Sequence, residues 1–353
     1  MPYQDYLTPG ADPGYEHDKT MAVTSCVLGN MLEADKMGMQ SATVLLGLTP
    51  TILGLVGSST AETSVLSLRR PVLSLILSLG SPSINPLRSF EYWDPVRGIL
   101  LRSSKERGRS QRPAGEAWDC KSIAISALGY ALALAAVANV TELAYELESR
   151  TICAFEGPSV FTVYVWTYTA ACTHILGAIA LRTRLKDQAS ISVLESTGFR
   201  QKANHIVRTE LTPCGAQVAL DIAWKPIALP HAILSWCTST FTVLHIVFGT
   251  LVCTSRLFIS TQDALAVVAR YLASALACRI LVVYELSGLT TTPEALDGTG
   301  KLAQQHLKDA KMVGVPVAAS RQRSQCLARA MSSFIALFSV LQTLVHNIKV
   351  SAL

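Results

Sequence analysis

A stripe of polar and small residues runs through one apolar segment of the chain, residues 229–253. Its members recur at steps of three and four residues, which places them on one face of a helix. They are His231, Ser235, Thr238, Thr242, His245 and Gly249. Two interpretations fit this face. The stripe either lines a path or binding site for a small molecule, with His245 as a proton acceptor, or packs closely against another helix.

A second apolar segment, 159–181, has a matching face. That face consists of Thr162, Trp166, Thr169, Thr173 and Gly177, and His174 lies beside it. Small and hydroxyl-bearing side chains allow two helices to approach closely and to form hydrogen bonds with each other. The two faces therefore predict one interface between two helices.

Two arginines lie within a third apolar segment, 264–286. Arg270 and Arg279 are nine residues apart, so they point to opposite faces of a helix and cannot jointly bind one ligand without a kink. Each side chain can extend to lipid headgroups, form an ion pair, or bind an anionic group. Glu142, at the end of segment 122–143, is a candidate partner. We include all three residues among the candidate binding residues.

The composition sets the class of protein in which these residues act. Of 353 residues, 50% are hydrophobic and 16% are charged, and the mean hydropathy is +0.35. Soluble domains carry about 25% charged residues, so this composition excludes a disordered chain and argues against a soluble enzyme. We predict an all-α fold, a polytopic transmembrane helix bundle with six, alternatively seven, membrane helices. Its predicted spans are 39–58, 122–143, 159–181, 229–253, 264–286 and a weaker sixth at 328–348.

The seventh membrane helix depends on residues 65–79. Arg69, Arg70 and Pro71 lie in the middle of this short apolar segment. Two arginines at the centre of a bilayer are costly, and the proline disfavours a continuous helix. We interpret the segment as an interfacial or re-entrant helix, with a short transmembrane pass as the alternative. The choice decides on which side of the membrane the N-terminus lies.

Basic residues concentrate in three predicted loops, at about 82–121, 182–228 and 287–327. The positive-inside rule predicts that these loops are cytoplasmic. The net charge of +5 suits contact with anionic lipid headgroups and not with nucleic acid. We expect a polar, acidic tail over 1–38 and a transmembrane domain over 39–353.

The segment 26–97 contains the run LLGLTPTIL, followed by an apolar stretch with a basic-proline centre. This segment resembles multi-pass membrane proteins of filamentous fungi that share such a first helix. The resemblance implies a membrane location and no particular activity, so it assigns no functional residue. It also implies that Pro50 kinks the first membrane helix.

No sequence motif for catalysis, for a cofactor or for a metal ion is recognisable, so we predict none of these sites. The preferred hypothesis is a small-molecule transport or binding role through the polar seam between helices. The alternatives are a membrane-embedded enzyme that uses an intramembrane histidine, and a non-catalytic scaffold or assembly subunit. The plasma membrane and internal membranes are equally compatible with the sequence, and the oligomeric state is left open.

Overall fold

The computed structural model describes residues 13–86, 120–153, 161–186, 207, 209–213, 218–220, 223–224 and 229–291. Within these residues, eight helices have defined bounds. They are α1 (Pro13–Asn30), α2 (Glu33–Val56), α3 (Thr60–Arg69), α4 (Pro71–Leu79), α5 (Cys120–Arg150), α6 (Thr162–Arg184), α7 (Leu229–Thr254) and α8 (Thr261–Gly288). The short strands are β1 (Ile152–Cys153), β2 (Leu185–Lys186), β3 (Val218–Leu220), β4 (Ala223–Trp224), β5 (Arg256–Leu257) and β6 (Leu289–Thr291).

Five helices, α2, α5, α6, α7 and α8, are long and apolar enough to span a membrane. They coincide with the five stronger predicted spans, so the prediction of an all-α fold with several helices that could cross a membrane is confirmed, and the number of spans stays a prediction. The predicted sixth span, 328–348, lies outside the described residues. Part of the predicted polar tail is helical, because α1 and the first turns of α2 fall within residues 1–38.

The strands form three two-stranded pairs at the ends of the long helices. β1 pairs with β5 in antiparallel register, and this pair joins the connection after α5 to the one after α7. β2 pairs with β4 in antiparallel register, and β3 pairs with β6 in parallel register. Arg256, in β5, and Glu285, in the last turn of α8, lie toward opposite ends of the bundle. We call these ends the Arg256 end and the Glu285 end.

Helices α3 and α4 form a helical hairpin, residues 60–79, which packs against α5, α6 and α8. The chain turns at Arg70 (φ −127°, ψ 73°), because Pro71 has no N–H to continue the helix and takes the first position of α4 instead. It then returns toward its starting level, where the Asn85 amide donates to the carbonyl of Ser58 at 3.3 Å. The segment 65–79 is therefore the end of α3 and all of α4, and whether it lies at the interface, re-enters or crosses the membrane stays a prediction.

The apolar core has two parts, stacked along the bundle. One part lies toward the Arg256 end and includes Leu46, Leu143, Trp166, Val252 and Tyr271. The other lies toward the Glu285 end and includes Val65, Leu66, Leu73, Ala133 and Leu281. Helix α2 contributes only to the first part, and α3 and α4 contribute only to the second. The break between α2 and α3 therefore lies where the two cores meet.

Candidate functional site

The level at which the two cores meet is lined by polar side chains, which we call the polar layer. Its members come from the loop before α3, from α3 itself, from the loop after α4, and from α6. They are Ser58, Ser59, Thr63, Ser81, Ser83 and His174, and all six are buried. Gly80, in the second loop, packs against Ala136 and Cys278, which lie near the middle of α5 and α8. The polar layer therefore lies inside the bundle and not at one of its ends.

Glycine allows the two loops of the polar layer to approach their neighbours. A Cβ atom at Gly57 would collide with the Ser83 hydroxyl. At Gly80, a Cβ atom would lie 3.1 Å from the Cβ of Ala136 and 3.2 Å from the Sγ of Cys278. Gly57 also ends α2 with an N–H that donates to the Leu53 carbonyl at 2.8 Å. The two glycines thus allow the helices to be interrupted here. A larger residue at either position would push the neighbouring segments apart.

His174 joins α3 to the loop after α4. Its Nε2 donates to the Ser83 carbonyl at 3.3 Å, so Nδ1 is left as an acceptor for the Thr63 hydroxyl at 2.8 Å. Both ring nitrogens are therefore used in holding the hairpin against α6. This arrangement makes His174 a neutral structural link, and its hydrogen bonds include no second ionisable group.

A carboxylate and a guanidinium meet at the start of α3. Ser59 and Glu62 form a capping box, in which the Ser59 amide donates to the Glu62 carboxylate at 2.8 Å. The same carboxylate accepts a hydrogen bond from Arg279. The side chains of Arg279 and Glu62 keep 30% and 17% of their surface exposed. This pair is the only ionic group of the described residues that lies beside the polar layer and keeps both side chains partly exposed.

Arg70, at the tip of the hairpin, is the centre of a buried ionic cluster at the Glu285 end. It donates to Glu285 and to Ser126, both at 2.5 Å, and its guanidinium stacks over Tyr130 at 5.2 Å. Glu210 completes the cluster. Its carboxylate accepts from the Tyr130 hydroxyl at 2.6 Å and from the first free N–H of α4, that of Val72, at 2.7 Å. A buried arginine here is tolerated because carboxylates from two other segments face it.

The structure separates the two arginines that the sequence placed on opposite faces. Arg270 donates to Glu142 at 2.8 Å and to Glu146 at 3.0 Å, both on α5, whereas Arg279 contacts α3. Arg270 also donates to the Asn139 amide oxygen at 2.9 Å. The predicted ion pair of Arg270 with Glu142 is present. A role for Arg270, Arg279 or Glu142 in binding a ligand stays a prediction.

The predicted stripe on α7 mainly packs against α6. His231 donates to the Ala180 carbonyl at 2.9 Å, and His245 donates to the Trp166 carbonyl at 2.9 Å. Thr238 and Thr242 donate to carbonyls of their own helix. Ser235 is exposed, so it lies outside the interface. These contacts favour the packing interpretation for most of the stripe, and its role as a path stays a prediction.

The predicted face on α6 divides between two neighbours. Trp166 packs against Gly249 of α7, as the pairing of the two stripes requires. Gly177 instead lies against Thr60 and Ser64 of α3. The expectation of a single interface is therefore wrong for Gly177, because the hairpin occupies the space that α7 was expected to fill.

Sequence reasoning missed several polar residues that the structure brings together. Glu62, Ser83 and Glu210 lie outside every predicted span, so they were not considered as intramembrane groups. The capping pattern Ser59-x-x-Glu62 was a readable signal for a helix that begins inside the bundle. Within the part of the chain that the structure describes, no group of three or more His, Cys, Asp or Glu residues is placed to hold a metal ion.

Comparison with protein families, with curated proteins and with solved structures finds no match. The resemblance to fungal membrane proteins thus stays a prediction, and no comparison supports a fungal origin.

Proposed function

We propose that this protein is a multi-pass membrane protein that binds or transports a small polar solute, and that the solute passes through the polar layer. The observation that carries this proposal is the interruption of the bundle at Gly57–Ser59 and again after α4, at the level where the two apolar cores meet. The proposal moves the expected path from the stripe on α7 to the loops on either side of the hairpin.

The surface around the hairpin supports a position of the break at membrane depth. Exposed apolar side chains continue past the polar layer on α4, α5, α6 and α7. Among them are Val72, Leu75, Leu128, Ile179 and Ile233. Such a continuous apolar surface is what lipid tails contact. Non-helical backbone at this depth is tolerated where it is buried in protein or lines a water-filled cavity, and broken helices are common at transporter binding sites.

The chemistry of the polar layer suits an uncharged or zwitterionic solute. The serine hydroxyls both donate and accept hydrogen bonds, and the Glu62–Arg279 pair offers one charge of each sign at the same level. A membrane-embedded enzyme is less well supported, because His174 and His245 each donate to a backbone carbonyl and neither bonds an ionisable side chain. A scaffold would need no break in its helices.

Thiol accessibility tests the proposal directly. Ser58→Cys and Ser83→Cys, made singly in a background without native cysteines, should react with a small membrane-impermeant thiol reagent in intact membranes. Ala42→Cys, in the apolar core of α2, is the matched control and should stay unreactive. If both serine positions react no faster than position 42, the polar layer is dry and the scaffold hypothesis replaces this one.

A further inference from the structure

Four buried polar atoms without a hydrogen-bond partner lie where α6, α7 and α8 meet. They are Trp166 Nε1, Thr167 Oγ1, His245 Nδ1 and the Tyr271 hydroxyl. The four residues are 0%, 0%, 6% and 1% exposed, respectively. Buried polar atoms in folded proteins nearly always have a partner, so four of them in one place call for an explanation.

The four residues form one contact group, which we call the α6–α8 cluster. The Trp166 ring stacks on His245 at a centroid distance of 5.9 Å and meets Tyr271 edge-on at 5.8 Å. Its Nε1 edge lies against Gly249, where a Cβ atom would collide with it. Thr167 lies beside the Tyr271 hydroxyl, close enough for the two to interact, but without the distance and angle of a hydrogen bond. The four residues therefore form one contiguous group in the core toward the Arg256 end.

The hydrogen-bonding capacity of the cluster is complementary and uncharged. Trp166 Nε1 can only donate. His245 donates through Nε2 to the Trp166 carbonyl at 2.9 Å, so its Nδ1 can only accept. The two hydroxyls do both. The nearby arginines are already engaged, since Arg256 bonds Glu148 and Arg270 bonds Glu142. A partner for these atoms must therefore be neutral, small, and able both to donate and to accept.

We propose that the α6–α8 cluster is a buried binding site for a small neutral hydrogen-bonding molecule. Two occupants have this chemistry. One is water, and the other is a solute of a few heavy atoms that carries a hydroxyl or an amide group. This site is distinct from the polar layer and does not depend on the proposed path, because none of its residues belongs to the loops around the hairpin.

The sign of a stability change tests the site. Tyr271→Phe and Thr167→Val each remove a hydroxyl and keep the shape of the side chain closely. If the hydroxyls bond a buried molecule, each variant should lower the melting temperature of the purified protein by about 2 °C or more. If the hydroxyls have no partner, their removal relieves a burial penalty and the melting temperature stays unchanged or rises, which overturns the proposal. Tyr145→Phe, at an exposed tyrosine, is the matched control and should change nothing.

The double variant Thr167→Val/Tyr271→Phe separates a bound molecule from a simple bond between the two hydroxyls. Replacing both members of a hydrogen bond by apolar groups is close to neutral, whereas removing two contacts to one buried molecule is not. We expect the double variant to melt at or below the temperature of the less stable single variant. Recovery toward the wild-type melting temperature would contradict a bound molecule.

Titration with small neutral probes identifies which molecule occupies the α6–α8 cluster. Acetamide and glycerol, added to the wild-type protein, should raise its melting temperature and leave that of Tyr271→Phe unchanged if a solute fills the site. If neither probe has an effect while both single variants and the double variant remain destabilised, the occupant is water. The failure of the thiol test at Ser58 and Ser83 has no bearing on either result.

Discussion

The ion pair of Glu148 with Arg256 gives the sharpest test of how this bundle is held together. Both side chains are 1% exposed. Glu148 accepts from Arg256 at 3.0 and 3.3 Å, from Thr162 at 3.2 Å, and from the Val163 amide. The carboxylate thus joins the end of α5, the first turn of α6 and the β1–β5 pair. Removal of either charge leaves the other buried without its partner.

The two single substitutions are not expected to cost the same. Breaking a buried ion pair by removing one partner costs about 3–5 kcal/mol of unfolding free energy. Arg256→Met leaves Glu148 with its bonds from Thr162 and Val163, so we expect a loss near the lower value, about 3 kcal/mol. Glu148→Gln turns an amide toward the guanidinium, so we expect about 5 kcal/mol. The double variant should lose roughly 1–3 kcal/mol less than the two single losses combined, because the residues are in direct contact.

The assay is reversible unfolding of the purified protein in mixed detergent micelles. Unfolding is monitored through the loss of the helical circular-dichroism signal. Arg150→Gln is the matched control. Arg150 approaches Glu146 at 4.0 Å with 66% of its side chain exposed, so its removal should cost less than about 1 kcal/mol. If Arg256→Met and Arg150→Gln have the same effect, the buried network does not stabilise the fold in the way the geometry indicates.

Three further predictions concern the helix contacts. Gly249→Ala should destabilise the protein by about 1–3 kcal/mol in the same assay, because the added methyl group collides with Trp166. A neutral result would mean that α6 and α7 can shift apart freely. Thr242→Val should cost less than about 0.5 kcal/mol, because this hydroxyl bonds only its own helix, and a larger loss would indicate a bond between helices. Glu210→Ala should increase hydrogen exchange at the Val72 amide, because this amide donates to the Glu210 carboxylate. Unchanged exchange would show that this hydrogen bond does not protect the hairpin tip.

The length and hydropathy of the long helices were sufficient to predict them. Five predicted spans coincide with five helices, because about 20 consecutive apolar residues have few alternatives to a helix in a bilayer. The periodicity of the α7 stripe also predicted correctly that His245 faces α6. The nine-residue spacing of Arg270 and Arg279 predicted correctly that they point to different neighbours. These features depend on local sequence and on the helical repeat alone.

The hairpin was harder to predict, because its position depends on partners that are distant in the sequence. Arg70 looks too costly for a membrane interior until Glu285 and Glu210 are placed beside it. Glu62 likewise belongs to no apolar segment, and its partner Arg279 is more than two hundred residues away. Nothing in the local pattern indicates which carboxylates will meet Arg70 and Arg279, so the polar layer and these two ionic contacts could not be assigned from the sequence.

The brevity of α3 and α4 has a consequence for biogenesis. Helices of 10 and 9 residues reach about 15 Å, which is half the thickness of the hydrocarbon region, so neither can be inserted as an independent span. Their turn at Arg70 is buried against the carboxylate of Glu285, which belongs to a helix made much later. We therefore expect the hairpin to reach its packed position only after α8 has been synthesised.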